Sequence, residues 1–249
     1  MTHPSNVENK QRNIMPILIG IAAGVTCFIL LQIGSCNRVP WFSGNVSSPT
    51  LPVVKQTRTL EPFTKIHVSS AVHVALKPGP VGTAVVETHE DIQEYLTTAV
   101  ENGTLVIGLR GSHNNIQTMA VELPVERLEK ISVSSVASVV GEDTITADEL
   151  EIDASSAGKI RLAINAKRLV CRASSVSNMM LSGSATDGDF HADGAAKINA
   201  TQLNMDTCKI DASSVAKVQI GETRQLQMKK SSAATIRYQG TPQVRDNSE

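Results

Sequence analysis

Aromatic residues make up only 3% of the 249-residue chain, so its core has to be assembled from Val, Ile, Leu, Ala and Met rather than large rings. There is no excess of either charge: 23 Lys and Arg against 24 Asp and Glu leave a formal net charge of −1. That balance excludes the basic footprint of a nucleic-acid-binding protein. Four cysteines are too few for a disulfide scaffold of this length. Catalytic signatures are missing as well. The chain contains no HExxH, GxSxG, Walker loop or GxGxxG-plus-acid pattern. His67, His73, His89, His113 and His191 are scattered without zinc-ligand spacing. Asp187 and Asp189 form an acidic pair, but the surrounding Ala-Thr-Asp-Gly-Asp reads as a turn. The reading is therefore of a non-enzyme with no catalytic, metal-binding or cofactor-binding residues.

What is present begins with a long apolar run. Residues 1–13 are polar and carry Lys10 and Arg12, and Ile14–Ile33 follows without a charge. Twenty apolar residues are enough to span a bilayer as a helix, and the preceding cations keep that end in the cytoplasm. The run ends Ile33-Gly34-Ser35-Cys36, which resembles a bacterial lipobox with Cys36 as the lipidated residue. Residues 14–35 are thus expected to be either an uncleaved transmembrane anchor or a lipoprotein signal. Either way the chain is membrane-attached with its bulk exported to the periplasm or the surface. Residues 36–56, with their Pro, Ser, Gly and Asn, read as a tether. Trp41 and Phe42 would sit at the headgroup level or cap the folded domain.

From Thr57 to Val125 the pattern predicts a strand region. Val72, Val74 and Leu76 alternate with polar neighbours, Lys77–Gly82 is a turn by composition, and Thr83–Thr88 and Thr104–Leu109 read as strands. A further strand is expected over Ile116–Leu123. Ile92, Tyr95, Leu96 and Ala99 recur at helical spacing, which predicts a short helix over 89–100. Glu101-Asn102-Gly103 signals a hairpin.

Residues 126–244 carry the strongest signal, an internal repeat. A small-residue motif starts at Ser134, Ser155, Ser174, Asp193, Ser213 and Ser231. The starts are 21, 19, 19, 20 and 18 residues apart, too close for βαβ units. Alternating apolar and polar positions flank each copy, so the expectation is an all-β parallel β-solenoid of about six coils, with residues 245–249 as a tail. An antiparallel β-sandwich is the alternative.

Stacking converts the repeat into columns. One inward column is expected to contain Ser135, Ser156, Ser175, Gly194, Ser214 and Ser232, with its hydroxyls bonded along the axis. A second contains Ala137, Gly158, Ser177, Ala196, Ala216 and Ala234. So many small residues imply a close wall or a tight corner. Outward columns bring together Asp153, Arg172, His191, Asp193 and Asp211, and also Lys159, Lys197 and Lys217. These eight residues are the candidate binding face. Asp153 with Arg172, and His191 with Asp211, are the expected cross-rung pairs. Cys171 and Cys208 share the inward parity but fall two rungs apart, about 9.6 Å, so they are expected to stay free. Asn45, Asn102 and Asn199 begin Asn-X-Ser/Thr sequons, without weight in a bacterial chain.

The opening Arg58–Gly79, the Glu101–Ile107 hairpin, the Leu123–Ser135 junction, the serial Ser-Ser-Ala-Gly-like copies and the closing Ile236–Val244 together resemble the bacterial head-GIN putative auto-transporter adhesin family. The family motif is Ser-Gly-Ala-Gly where this chain has Ser-Ser-Val/Ala-Ala/Gly. The resemblance implies a β-helix-like domain of an envelope protein, with no catalytic residues. A cell-surface or envelope protein or glycan is the implied partner, and nucleic acid is not. A solenoid-type polysaccharide-acting enzyme and a structural or sensory spacer are the other classes.

Overall fold

The computed structural model describes residues 51–248 apart from 112, 114, 115 and 117. The apolar run 14–33, Cys36, Trp41, Phe42 and Asn45 lie outside the described residues. Among the described residues no helix is long and apolar enough to cross a membrane.

Among the described residues fifteen strands form one sheet system. The first eight are β1 (Val53–Thr59), β2 (Lys65–Val68), β3 (His73–Pro78), β4 (Thr83–His89), β5 (Leu96–Glu101), β6 (Thr104–Leu109), β7 (Met119–Val125) and β8 (Lys130–Val133). Long bent strands follow: β9 (Ser138–Ala154), β10 (Lys159–Ala173), β11 (Asn178–Ala192), β12 (Lys197–Ala212) and β13 (Lys217–Lys230). The chain closes with β14 (Thr235–Gln239) and β15 (Gln243–Asp246). β1 starts inside the segment expected as tether, because Val53–Thr59 pairs antiparallel with β4. β15 likewise reaches into the expected tail.

The long strands pair in parallel, and their register is the sequence repeat itself. Ser138, Lys159, Asn178, Lys197, Lys217 and Thr235 occupy one row across successive rungs. This is a parallel β-solenoid, and the sandwich alternative does not hold. The unequal repeat lengths have a local cause. Extra residues sit in register breaks between Val140 and Thr144, and between Ala200 and Met205. A bulge there leaves every other column in phase. Inward rows are therefore continuous, as in Ile66, Ile131, Ile152, Cys171, Phe190 and Ile210, all almost wholly buried. Each coil leaves apolar surface that only the next coil covers.

The repeated small-residue motif is a stack of β-turns. The fourth N–H bonds the first carbonyl in Ser69–Val72, Ser134–Ala137, Ser155–Gly158, Ser174–Ser177, Asp193–Ala196, Ser213–Ala216 and Ser231–Ala234. The first of these is a seventh copy, Ser-Ser-Ala-Val. The sequence reading missed it because residues 79–129 separate it from the others. The second residue of every turn has positive φ, from 46° at Ser156 to 69° at Gly194. In the first three turns the third residue does too, which is the φ pattern of type I′.

This geometry corrects one expectation. Ser135, Ser156, Ser175 and Ser232 do not face inward but stand exposed at the corner. Two consecutive turn residues break the alternation of faces, so parity cannot be carried through the motif. The neighbouring column Ala137, Gly158, Ser177, Ala196 and Ala216 is buried. Small side chains are needed there because the corner is tight: a Cβ on Gly158 would lie 2.6 Å from the Val133 carbonyl oxygen. The one hydroxyl in that column, Ser177, donates to the Ser174 carbonyl at 2.8 Å.

At the N-terminal end β2 and β3 form a rung beneath β8 and β9. β6 and β7 stack on that rung in parallel. β5 then pairs β6 and β4 pairs β7 antiparallel, which covers the open edge of the parallel stack. Arg58 on β1 ties this cap together. Its guanidinium donates to the carbonyls of Leu96 and Gln93 and to Thr98 Oγ1. The helix expected over 89–100 is instead a single 3₁₀ turn, Glu90–Ile92, followed by β5. Ile92 and Leu96 are both buried, so the i, i+4 spacing was real. The β-branched Thr97, Thr98 and Val100 favour strand, and the Asn102-Gly103 turn with positive φ at both residues locks the hairpin to β6. β7 starts at Met119, three residues later than expected, and continues through Pro124 to Val125.

Cys171 and Cys208 are free and buried. Cys171 aligns with Phe190, whereas Cys208 aligns with Gly188, so they are offset along the strand as well as two rungs apart. Burial pushes the Cys171 thiol well up and the Cys208 thiol to about 12. Thiolate is the reactive form. A Cys27→Ser/Cys36→Ser variant is therefore expected to show no titratable thiol to Ellman's reagent while native, and two after denaturation. Reaction of either thiol in the native state would contradict this packing.

Candidate functional site

The eight predicted face residues all point outward, but the corner divides them into two groups. Before the turn, Ser132, Asp153, Arg172, His191, Asp211 and Lys229 form one continuous row. Asp193, on the turn itself, joins Asp153, Arg172, His191 and Asp211 around an open depression of about 510 Å³. After the turn, Lys159, Lys197 and Lys217 share the row that also holds Ser138, Asn178 and Thr235. They flank the corner on its other side. The single face expected from sequence is two faces, because a β-turn redirects the chain within four residues.

On the first side Lys130 and Arg172 are neutralised by Glu151 and Asp153. Lys130 lies 2.8 Å from Asp153 and 3.1 Å from Glu151. Arg172 contacts Glu151 closely and stands 3.6 Å from Asp153. The hydrogen bond from Lys130 to Asp153 raises the lysine pKa, partly offset by burial. Burial pushes Glu151 up, but the hydrogen bond and charge of Lys130, together with Arg172, outweigh it and hold the carboxyl below its usual range. Lys130 and Glu151 belong to the next outward row, two residues earlier. Extending the column analysis by one position would have found them.

The expected pairing of His191 with Asp211 is corrected. The two share a row, yet His191 Nε2 lies 3.1 Å from Asp189 on its own strand. Residues i and i+2 project from the same face of a strand, so an intrastrand carboxylate competes with the cross-rung one. Asp187 and Asp189 lie within β11 rather than in the turn expected there; Asp187 accepts from Thr207, and Asp189 is the carboxylate beside His191. Asp193 accepts hydrogen bonds from Ser213 Oγ and Ser214 Oγ, both at 2.9 Å, and from the Gly194 N–H at 2.6 Å. These bonds, the Ser213 hydroxyl first, lower its pKa. Among the described residues no group of three His, Cys, Asp or Glu side chains is placed to hold a metal ion.

A stack of parallel rungs with a Ser-rich corner and an antiparallel cap is a specific architecture, and it can be compared with known proteins. The family model described as putative auto-transporter adhesin, head GIN domain, matches residues 62–242. The chain belongs to this family. Solved structures share the fold of this chain. One from Bacteroides fragilis, described as a putative adhesin, has a TM-score of 0.76 at 19% identity, over 82% of this chain and 95% of its own. Another putative adhesin, from Parabacteroides merdae, gives 0.70 at 16% identity over 82% and 95%. A structure from Parabacteroides distasonis described as a putative lipid binding protein gives 0.64 at 17% identity over 82% and 96%. No curated protein matches the sequence. The match takes in β2 to β14 and leaves β1 and β15 outside it.

Proposed function

We propose that this chain is a membrane-tethered envelope protein whose head GIN domain is a non-enzymatic binding module for another surface component, protein or glycan. One observation carries the reading. The solenoid displays polar side chains in rows that continue from rung to rung, at about 4.8 Å spacing, beside open depressions rather than a closed cleft. Such a surface suits an extended partner lying along the axis. The Asp153, Arg172, His191, Asp193 and Asp211 side and the Lys159, Lys197 and Lys217 side are both candidates for the contact. The apolar run Ile14–Ile33 and the lipobox-like sequence ending at Cys36 support attachment to the membrane. Family membership supports display on the envelope side.

Two measurements test this. Intact mass and N-terminal analysis of membrane-extracted protein is expected to show either a chain starting near Met1 or a diacylglyceryl-modified Cys36. Purification of an unmodified chain lacking residues 1–35 from the soluble fraction would overturn the tether. Purified full chain is expected to bind isolated envelope material and to leave its glycan chains unshortened. Shortening would make the protein a polysaccharide-acting enzyme instead.

A further inference from the structure

We propose that the side of the solenoid following the corner is a binding site for a linear anionic glycan lying along the solenoid axis, a reading that rests on the binding-module function above. Two adjacent outward rows define it. The first is Ser138, Lys159, Asn178, Lys197, Lys217 and Thr235. The second, two residues further along each strand, is Val140, Arg161, Met180, Asn199, Gln219 and Arg237. Across the rungs of β10 to β14 these rows hold five cations and no acid. Among the described residues none of the five has an ion-pair partner; Arg161 donates only to the Met180 sulfur, at 3.6 Å. This contrasts with the other side of the corner, where Lys130 and Arg172 are neutralised by Glu151 and Asp153.

Like charges on neighbouring rungs repel each other. Lys197 and Lys217 face each other directly in register, and no ion pair among the described residues offsets this. An external polyanion would. The rest of the lining specifies what kind. Asn178, Asn199 and Gln219 alternate with the cations around a depression of about 420 Å³ that spans the rungs. Side-chain amides donate and accept at once, which matches sugar hydroxyls, while Lys and Arg match carboxylate or phosphate substituents. Neither row contains an aromatic residue, so the stacking platform that single-stranded nucleic acid needs is missing. The rows run for four rung spacings, about 19 Å, which requires an extended ligand rather than a single anion.

The test uses full-length protein in a non-ionic detergent. Calorimetric titration with polygalacturonate oligomers is expected to show binding that weakens as salt is raised. Dextran of similar length, the neutral control, is expected to give none. K197Q/K217Q is expected to weaken polygalacturonate binding about tenfold or more without lowering the thermal midpoint, whereas K167Q, at an exposed cation outside both faces, is expected to leave binding unaltered. A phosphate-bearing teichoic acid titrated in parallel distinguishes carboxylate from phosphate as the preferred anion; tighter binding of either supports the site. Equal binding by wild type and K197Q/K217Q would overturn the proposal, as would equal binding of dextran. Binding confined to anionic phospholipid vesicles or single-stranded DNA would overturn it too. If K197Q/K217Q still binds envelope material like wild type, only this site falls. If wild type binds no envelope material, the binding-module reading falls with it.

Discussion

Phe190→Ala is expected to cost about 3–5 kcal/mol. Phe190 is fully buried and interrupts an aliphatic row, with Cys171 on the preceding rung and Ile210 on the following one. Its ring fits because its neighbours are small. A Cβ at Gly188, two residues earlier on the same strand, would meet the ring at 2.8 Å and Met205 Sδ at 2.5 Å. Gly188 and Cys171 cannot expand to refill the space, so truncation leaves a cavity rather than a collapsed wall. Phe190→Leu is expected to retain most of the stability. Equilibrium denaturation followed by far-ultraviolet circular dichroism measures both. A loss below about 1 kcal/mol for the Ala variant would show that the coils close up around the gap. A coupled change provides a second check. Gly188→Ala is expected to be tolerated better in the Phe190→Leu background than alone, because the ring it strikes is gone and only the flexible Met205 thioether has to move aside.

Gly183→Ala is expected to cost roughly 3–4 kcal/mol. Gly183 lies in β11, in the row of Ile164 and Leu203. Those residues are buried. At Gly183 the backbone adopts φ +106°, and a Cβ would fall 2.1 Å from the Ile164 carbonyl oxygen on the adjacent rung. Both the torsion and the contact oppose any side chain, and the struck atom is backbone engaged in a parallel ladder. Gly240→Ala isolates the torsional part. Gly240 has φ +76°, and its added Cβ would meet nothing nearer than Glu222 Cγ at 3.7 Å. Its expected cost is about 1 kcal/mol. Equal losses for the two variants, read from the shift in thermal midpoint, would show that the close approach at Gly183 is absent in solution.

Much of this architecture was legible because a solenoid writes its register into the chain. Offsets of 21, 19, 19, 20 and 18 between motif copies are the offsets between paired residues. Column membership followed residue by residue wherever strands are straight, as for Asp153, Arg172, His191 and Asp211. The reading failed where the chain stops alternating. At Ser135 and Ser156, left-handed φ at two consecutive residues throws off any parity argument. It failed again at 89–100, where burial of Ile92 and Leu96 suits a helix or a turn followed by a strand equally well. His191 went to Asp189 rather than to Asp211 because a carboxylate two residues away on the same strand shares its face and competes with the cross-rung one.

By itself, then, the sequence determined the all-β class, the repeat period and the aliphatic core, since each follows from periodicity and from which residues can be buried, while the strand pairing chose the parallel solenoid over the antiparallel sandwich. It also determined that Cys171 and Cys208 stay apart, since a separation of two rungs is a matter of counting. The tertiary structure alone decided that the outward residues form two faces on either side of a corner, one where Lys130 and Arg172 are paired with Glu151 and Asp153 and one with five cations left open. That division depends on turn torsions and on the packing of neighbouring rungs, which a one-dimensional pattern of polar and apolar residues does not encode.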